Sequence, residues 1–227
     1  MDILLTAVKR REKAKRMTVS LVFVGDDGQT EGKELDVLEA MWPQDVPMPA
    51  EDGDAAAFPV ILEKFGADAL LYADEVSRAV MKGADLLDYA DQPAKALLAK
   101  LERRGFRREA AEEAVSYLEK RGMLREEDLM RAYLETLYER KKLGPARMAP
   151  ELLRHGFSLS RYREAFDDAV GAMDFDRTLD ERLQKTSRSA LRDPAARQKT
   201  AAALARAGFS ASSIRRAFDR AEDRDDE

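Results

Sequence analysis

The sequence predicts a mainly α-helical protein of tandem three-helix repeats, about nine helices in an elongated, curved array, preceded by a small N-terminal segment with a β-hairpin. Three observations carry this expectation. First, a Leu is followed four residues later by Gly-Phe three times, at intervals near 51 residues: Leu101 with Gly105-Phe106, Leu152 with Gly156-Phe157, and Leu204 with Gly208-Phe209. Second, apolar residues recur at helical spacing after each glycine: Ala111, Ala114, Val115, Leu118; Tyr162, Ala165, Phe166, Ala169; Ile214, Ala217, Phe218, Ala221. Third, the β-branched run Met17–Val24 is followed by Asp26-Asp27-Gly28, which supplies turn chemistry before Gln29–Glu34.

Each repeat can be justified from helix-ending rules. A glycine just past a helix adopts the left-handed conformation, and the apolar residue after it packs on the one four positions before the glycine. The Phe also stands ahead of the next helix, with Ser158 and Ser210 as N-caps and Tyr162 and Ile214 in the first turn. In the first copy Arg107 occupies the cap position and Ala111 the stapling position, which predicts the weakest corner. Pro93, Pro145 and Pro194 fall where the short helices begin, a position that tolerates the missing N–H. Pro150 lies inside the second short helix and predicts a kink or a shortening. Longer helices over Asp74–Ala90, Arg125–Lys142 and Asp176–Arg192 complete three triplets.

The resulting division is a cap over 1–60, repeats over 61–121, 122–172 and 173–221, and an acidic tail over 222–227. Within the cap, Lys9–Arg16 reads either as the end of an opening helix or as a basic loop between strands. Leu35–Met41 reads as helix, and the Pro-rich stretch from Pro43 to Pro59 as a long loop.

Of the 227 residues 44% are hydrophobic, enough apolar surface for a core. With no Cys and one His, neither disulfides nor a transition-metal cluster are expected. No run approaches a membrane span, and no basic segment precedes the short apolar opening, which points to the reducing cytoplasm. The net charge of −5 hides a split: residues 1–95 hold 11 Lys/Arg against 19 Asp/Glu, whereas 96–218 hold 26 against 19. The helical array is basic.

Nothing in the chain predicts catalysis. The pairs Glu112-Glu113, Glu126-Glu127 and Asp167-Asp168 read as solvated helix faces, and His155 as a dipole complement at a helix end. Gly-rich phosphate loops and nucleophile elbows are absent, so no catalytic residue, metal, cofactor or small-molecule substrate is expected. The informative polar residues are basic. Arg103, Arg104, Arg107 and Arg108 crowd the first corner, Lys141, Lys142 and Arg147 the entry to the second repeat (beside Arg140), and Arg154 and Arg161 its corner. Together they predict a surface for an acidic protein or a phosphate backbone.

The run Leu97-Leu98-Ala99-Lys100-Leu101-Glu102-Arg103-Arg104-Gly105-Phe106, the stretch Gly122-Met123-Leu124 with Glu126-Glu127-Asp128, and Pro150-Glu151-Leu152-Leu153-Arg154-His155-Gly156-Phe157 resemble the RecX family of RecA regulators. The likeness closes with Arg197-Gln198-Lys199 and Leu204-Ala205-Arg206-Ala207-Gly208-Phe209, and spans roughly 75–221. It implies a nine-helix, modular three-helix-repeat protein that binds the RecA filament on DNA and restrains or remodels it, without enzymatic activity of its own. The partners expected are RecA and its DNA filament, with at most a weak direct DNA contact and no membrane. Two rival readings are a non-specific DNA-binding helical module and a generic helical adaptor.

Overall fold

The computed structural model describes residues 2–46, 59–186 and 193–223. Contacts divide the chain into two compact units, residues 1–91 with 97–124 and residues 92–96 with 125–227.

The first unit opens with a sheet. Strands β1 (Asp2–Arg11), β2 (Arg16–Val24), β3 (Thr30–Leu38) and β4 (Val60–Leu62) form an antiparallel sheet of order β3-β2-β1-β4. The expected hairpin is β2–β3, and β1 and β4 extend it. Met17, Val19 and Leu21 alternate onto the buried face, as a half-covered strand requires. In β1 a bulge between Leu5 and Ala7 shifts the register, so Ile3 and Leu5 are buried before it, while Ala7, Lys9 and Arg11 are exposed after it.

Two readings of this segment need correction. The basic run is neither a helix end nor only a loop: it forms the distal half of β1, a 3-10 turn over Glu12–Ala14 and the start of β2. Leu35–Met41 is strand as far as Leu38 and only then a 3-10 turn over Glu39–Met41. Leu35 and Val37 are both buried, a period of two that pairing with β2 enforces over local helix propensity. Residues 47–58 of the expected Pro-rich loop lie outside the described residues.

Helix α1 (Lys64–Tyr89) begins ten residues before the predicted Asp74, and its early turns explain why. Leu70 and Ala73 join the sheet core with Met17, Val19, Leu35 and Val37. Next to them, Asp74 Oδ1 accepts the Asp36 N–H at 2.9 Å and Ser77 Oγ accepts the Leu38 N–H at 2.8 Å. Strand β3 is a sheet edge, and these two buried side chains cover the backbone donors that would otherwise invite another strand. Helices α2 (Ala94–Glu102) and α3 (Arg108–Lys120) follow. A Cβ on Gly83 of α1 would lie 2.6 Å from Leu118 Cδ1, so the glycine permits the close packing of α1 on α3.

The second unit contains α4 (Glu126–Glu135), continued by a π-helical turn over Thr136–Arg140, then α5 (Pro145–His155), α6 (Arg163–Gly171), α7 (Phe175–Gln184), α8 (Pro194–Arg206) and α9 (Ala211–Asp223). Nine α-helices thus occur among the described residues. The third long helix ends at Gln184, short of the expected Arg192, and residues 187–192 lie outside the described residues. One core gathers Met130, Leu134, Met148, Leu152, Phe157 and Phe166; another gathers Leu179, Leu183, Leu204, Phe209 and Phe218.

All three Gly-Phe corners close in the same way. Gly105, Gly156 and Gly208 have φ of 90°, 93° and 98°. The following Phe N–H donates to the carbonyl of Leu101, Leu152 or Leu204 at 3.4, 3.1 and 3.2 Å, and each glycine N–H donates to the carbonyl three residues back. These are Schellman closures, and all three leucines are buried.

The caps are less uniform. Ser210 Oγ accepts the Ser213 N–H at 3.1 Å, as expected. Ser158 instead opens a turn, and α6 starts only at Arg163. The first corner is not left uncapped: Glu75 of α1 accepts the Arg107 N–H at 2.8 Å, so a tertiary carboxylate replaces the missing local cap. Pro150 does not shorten α5, which runs on to His155 with Met148 and Leu152 fully buried on either side of it.

Candidate partner-binding surface

The nine basic residues fall into two groups, four on the first unit and five on the second. On the first unit the αL closure at Gly105 projects Arg103 and Arg104 into solvent. Arg104 Nη1 donates to the Lys100 carbonyl at 3.1 Å, capping the end of α2 while retaining its charge. Arg107 is different. Its guanidinium pairs with Glu75 at 2.6 Å and lies over the Tyr72 ring at 5.4 Å. Burial by itself would raise the Glu75 carboxyl, but the Arg107 hydrogen bonds hold it below the ordinary glutamate range. Arg108 pairs with Glu112 at 2.8 Å and reaches Glu102 at 3.8 Å.

On the second unit the two arginines of α5 converge on one carboxylate. Glu151 is buried and accepts from Arg154 and from Arg147, the latter at 2.6 Å. Those two bonds, Arg154's first, hold its carboxyl below the usual range. Lys142 sits at φ 51° after the π-helical turn and is held between Glu181 at 2.8 Å and Glu139 at 3.3 Å. Arg161 lies over Tyr162 and lines a shallow cleft with Glu127, Glu164 and Asp168, so its charge is locally offset. Among the described residues, Lys141 approaches the Tyr133 ring, at 5.8 Å, and no carboxylate.

The structure therefore sorts the set. Among the described residues, Arg103, Arg104 and Lys141 carry exposed charges with no carboxylate partner, whereas Arg107, Arg108, Lys142, Arg147 and Arg154 are tied into ion pairs within the chain. An exposed pair is worth only about 0–1 kcal/mol and can exchange partners. Arg147 and Arg154 have a heavier duty, because truncating both would strand the buried Glu151 carboxylate.

The residue that sequence reasoning misplaced most is Glu126. Read as part of a solvated carboxylate pair, it is buried, and its two oxygens accept the Ala94 N–H at 3.4 Å and the Ser158 N–H at 3.3 Å. It thereby ties the entry of α2 to the chain just past the second corner. Only its position at the first turn of a helix hinted at this. Glu112, Glu113, Glu127, Asp167 and Asp168 are exposed, as is His155.

No family model and no curated protein sequence matches this chain. Solved structures do: one described as regulatory protein RecX superposes with a TM-score of 0.68 over 96% of this chain and 99% of its own, at 19% identity. The fold is that of RecX. A second structure, RecX from Lactobacillus salivarius, aligns over 65% of this chain and 97% of its own with a TM-score of 0.55 and 17% identity. The RecX likeness thus takes in both units of the chain, including the N-terminal sheet. Among the described residues, no helix is long and apolar enough to cross a membrane.

Proposed function

We propose that this chain is a RecX-like regulator that binds the RecA recombinase filament on DNA and inhibits its activity in recombination, repair and the SOS response. The supporting observation is that the likeness to a structure described as regulatory protein RecX runs over nearly the whole of both chains. The three Gly-Phe corners, closed by the same backbone geometry, support the same reading. In this reading the helices act as three consecutive triplets over 61–121, 122–172 and 173–221, in the cytoplasm, without catalysis or cofactor.

The unpaired cations Arg103, Arg104 and Lys141 meet acidic or phosphate groups of the filament first, and charge complementarity sets the encounter rate. Arg107, Arg108 and Lys142 contribute by exchanging partners at the interface, while Arg147 and Arg154, which keep Glu151 paired, and Arg161 add to the positive field of the second unit. Inhibition then requires that the regulator bind one subunit arrangement of the filament more tightly than another.

The test is the single-stranded-DNA-dependent ATPase of RecA and the length of its filaments, with and without the purified protein. The expected outcome is inhibition by wild type and about a tenfold higher half-inhibitory concentration for R103E/R104E, with unchanged helicity. A wild-type protein with no effect on either readout would discard the regulator reading. Unaltered inhibition by R103E/R104E would remove that patch from it.

A further inference from the structure

The β1–β2 hairpin tip is a second cationic site that the corner arginines do not account for. Six of the eleven basic residues in positions 1–95 fall within Lys9–Arg16, in a region that is otherwise strongly acidic. The structure divides those six. Arg10 pairs with Glu39, and Arg16 pairs with Asp36 at 2.8 Å, so both are absorbed by the sheet. Lys9, Arg11, Lys13 and Lys15 are exposed, and none of them pairs with a carboxylate among the described residues.

The bulge after Leu5 produces this sorting, because it places Lys9 and Arg11 on the outer face of β1 together. The 3-10 turn and Lys15, at φ 49°, carry Lys13 and Lys15 across the tip. We infer that this hairpin tip binds the phosphodiester backbone of nucleic acid. Lys9 and Arg11 stand about 7 Å apart along the strand, on the order of the spacing of successive phosphates in an extended chain. The tip offers no aromatic or large apolar side chain, so it lacks the anchor that a protein interface needs at its centre. It also lacks a stacking platform, and the binding is therefore indifferent to base sequence. Lysines on an exposed strand edge also discourage strand pairing, but Lys13 and Lys15 lie in and beyond the turn, where no edge needs protection.

The inference stands apart from the RecA reading, and its experiment contains no RecA. Binding of the full chain to labelled oligo-dT and to a duplex is measured by fluorescence anisotropy at 50 and 200 mM salt. Four phosphate contacts predict roughly a 50-fold loss of single-strand affinity, and about 150-fold for duplex, over that range. K9A/R11A/K13A/K15A should bind weakly and with a flattened salt dependence, K9R/K13R/K15R should bind as wild type, and K120A/R121A, which removes two exposed cations at the end of α3, should keep the wild-type salt slope. Wild-type binding by the four-alanine variant overturns the assignment. So does failure of the arginine variant, or equal affinity for polyglutamate, which would make the tip a generic acidic-protein contact.

Discussion

Two glycine corners of the second unit do the same job by different means. At the third corner, backbone meets backbone: Gly144 N–H donates to the Ala207 carbonyl at 2.8 Å and Ala146 N–H to the Gly208 carbonyl at 3.2 Å. A Cβ on Gly144 would lie 2.5 Å from Gly208 C and O, and one on Gly208 would lie 2.8 Å from Arg147 N. At the second corner the approach is looser. A Cβ on Gly156 would find its nearest neighbour, Ala96 N, at 3.6 Å, and the gap is bridged by the buried carboxylate of Glu126. Where two backbones touch, glycine is needed on both sides; where they stand apart, a side chain must supply the hydrogen bonds.

The largest effect should come from breaking the tight corner. Gly144→Ala has no left-handed backbone to blame, since its φ is −81°, yet its methyl meets backbone atoms that cannot rotate away. A loss of about 3 kcal/mol is expected in urea unfolding. Gly156→Ala, whose methyl would make only ordinary contacts with Ala96 and Lys95 but at φ of 93°, should lose only about 1 kcal/mol. Equal losses at the two sites would dissolve the distinction.

Next in size is Glu126→Ala, which leaves two backbone donors without their carboxylate and should cost about 2 kcal/mol by the same measurement. The difference between the corners sharpens if Glu126→Gln restores half or more of that loss, because an amide oxygen can still accept one of the bonds. The smallest effect is one of pH. Glu151 is held below its free value by Arg154 and Arg147, so its contribution is complete above about pH 4.3 and is lost as pH falls through the lowered folded pKa. Glu151→Gln should be less stable than wild type at neutral pH and lose less stability on acidification below that point. Parallel acid limbs for the two proteins would show that the pair of arginines adds nothing.

Much of this architecture was readable in advance because its signals are local. The Leu-x-x-x-Gly-Phe corners were correct to the residue at Gly105, Gly156 and Gly208, since a left-handed closure demands glycine at one position and apolar partners at two others. Ser210 behaved as its type predicts. Ser158 did not: its carbonyl accepts the Arg161 and Tyr162 N–H groups in a turn, and α6 starts only at Arg163. The basic candidates were identifiable as residues, but their availability was not. Arg103 and Arg107 look alike in sequence, and only the arrival of Glu75 from α1 separates a free cation from a paired one.

By itself, then, the sequence settled what depends on a few neighbouring residues: the three Leu-Gly-Phe helix closures, buried faces, the β2–β3 turn and the basic character of the corners. Tertiary structure alone decided what depends on residues brought from afar. Pairing with β2 turned Leu35–Leu38 from apparent helix into strand, and Asp74 and Ser77 lengthened the duty of α1 to guarding a sheet edge. Burial turned Glu126 from a surface acid into a bridge. The physical reason is the same throughout: a backbone donor or a charge must find a partner, and short-range pattern shows the need without showing which distant group meets it.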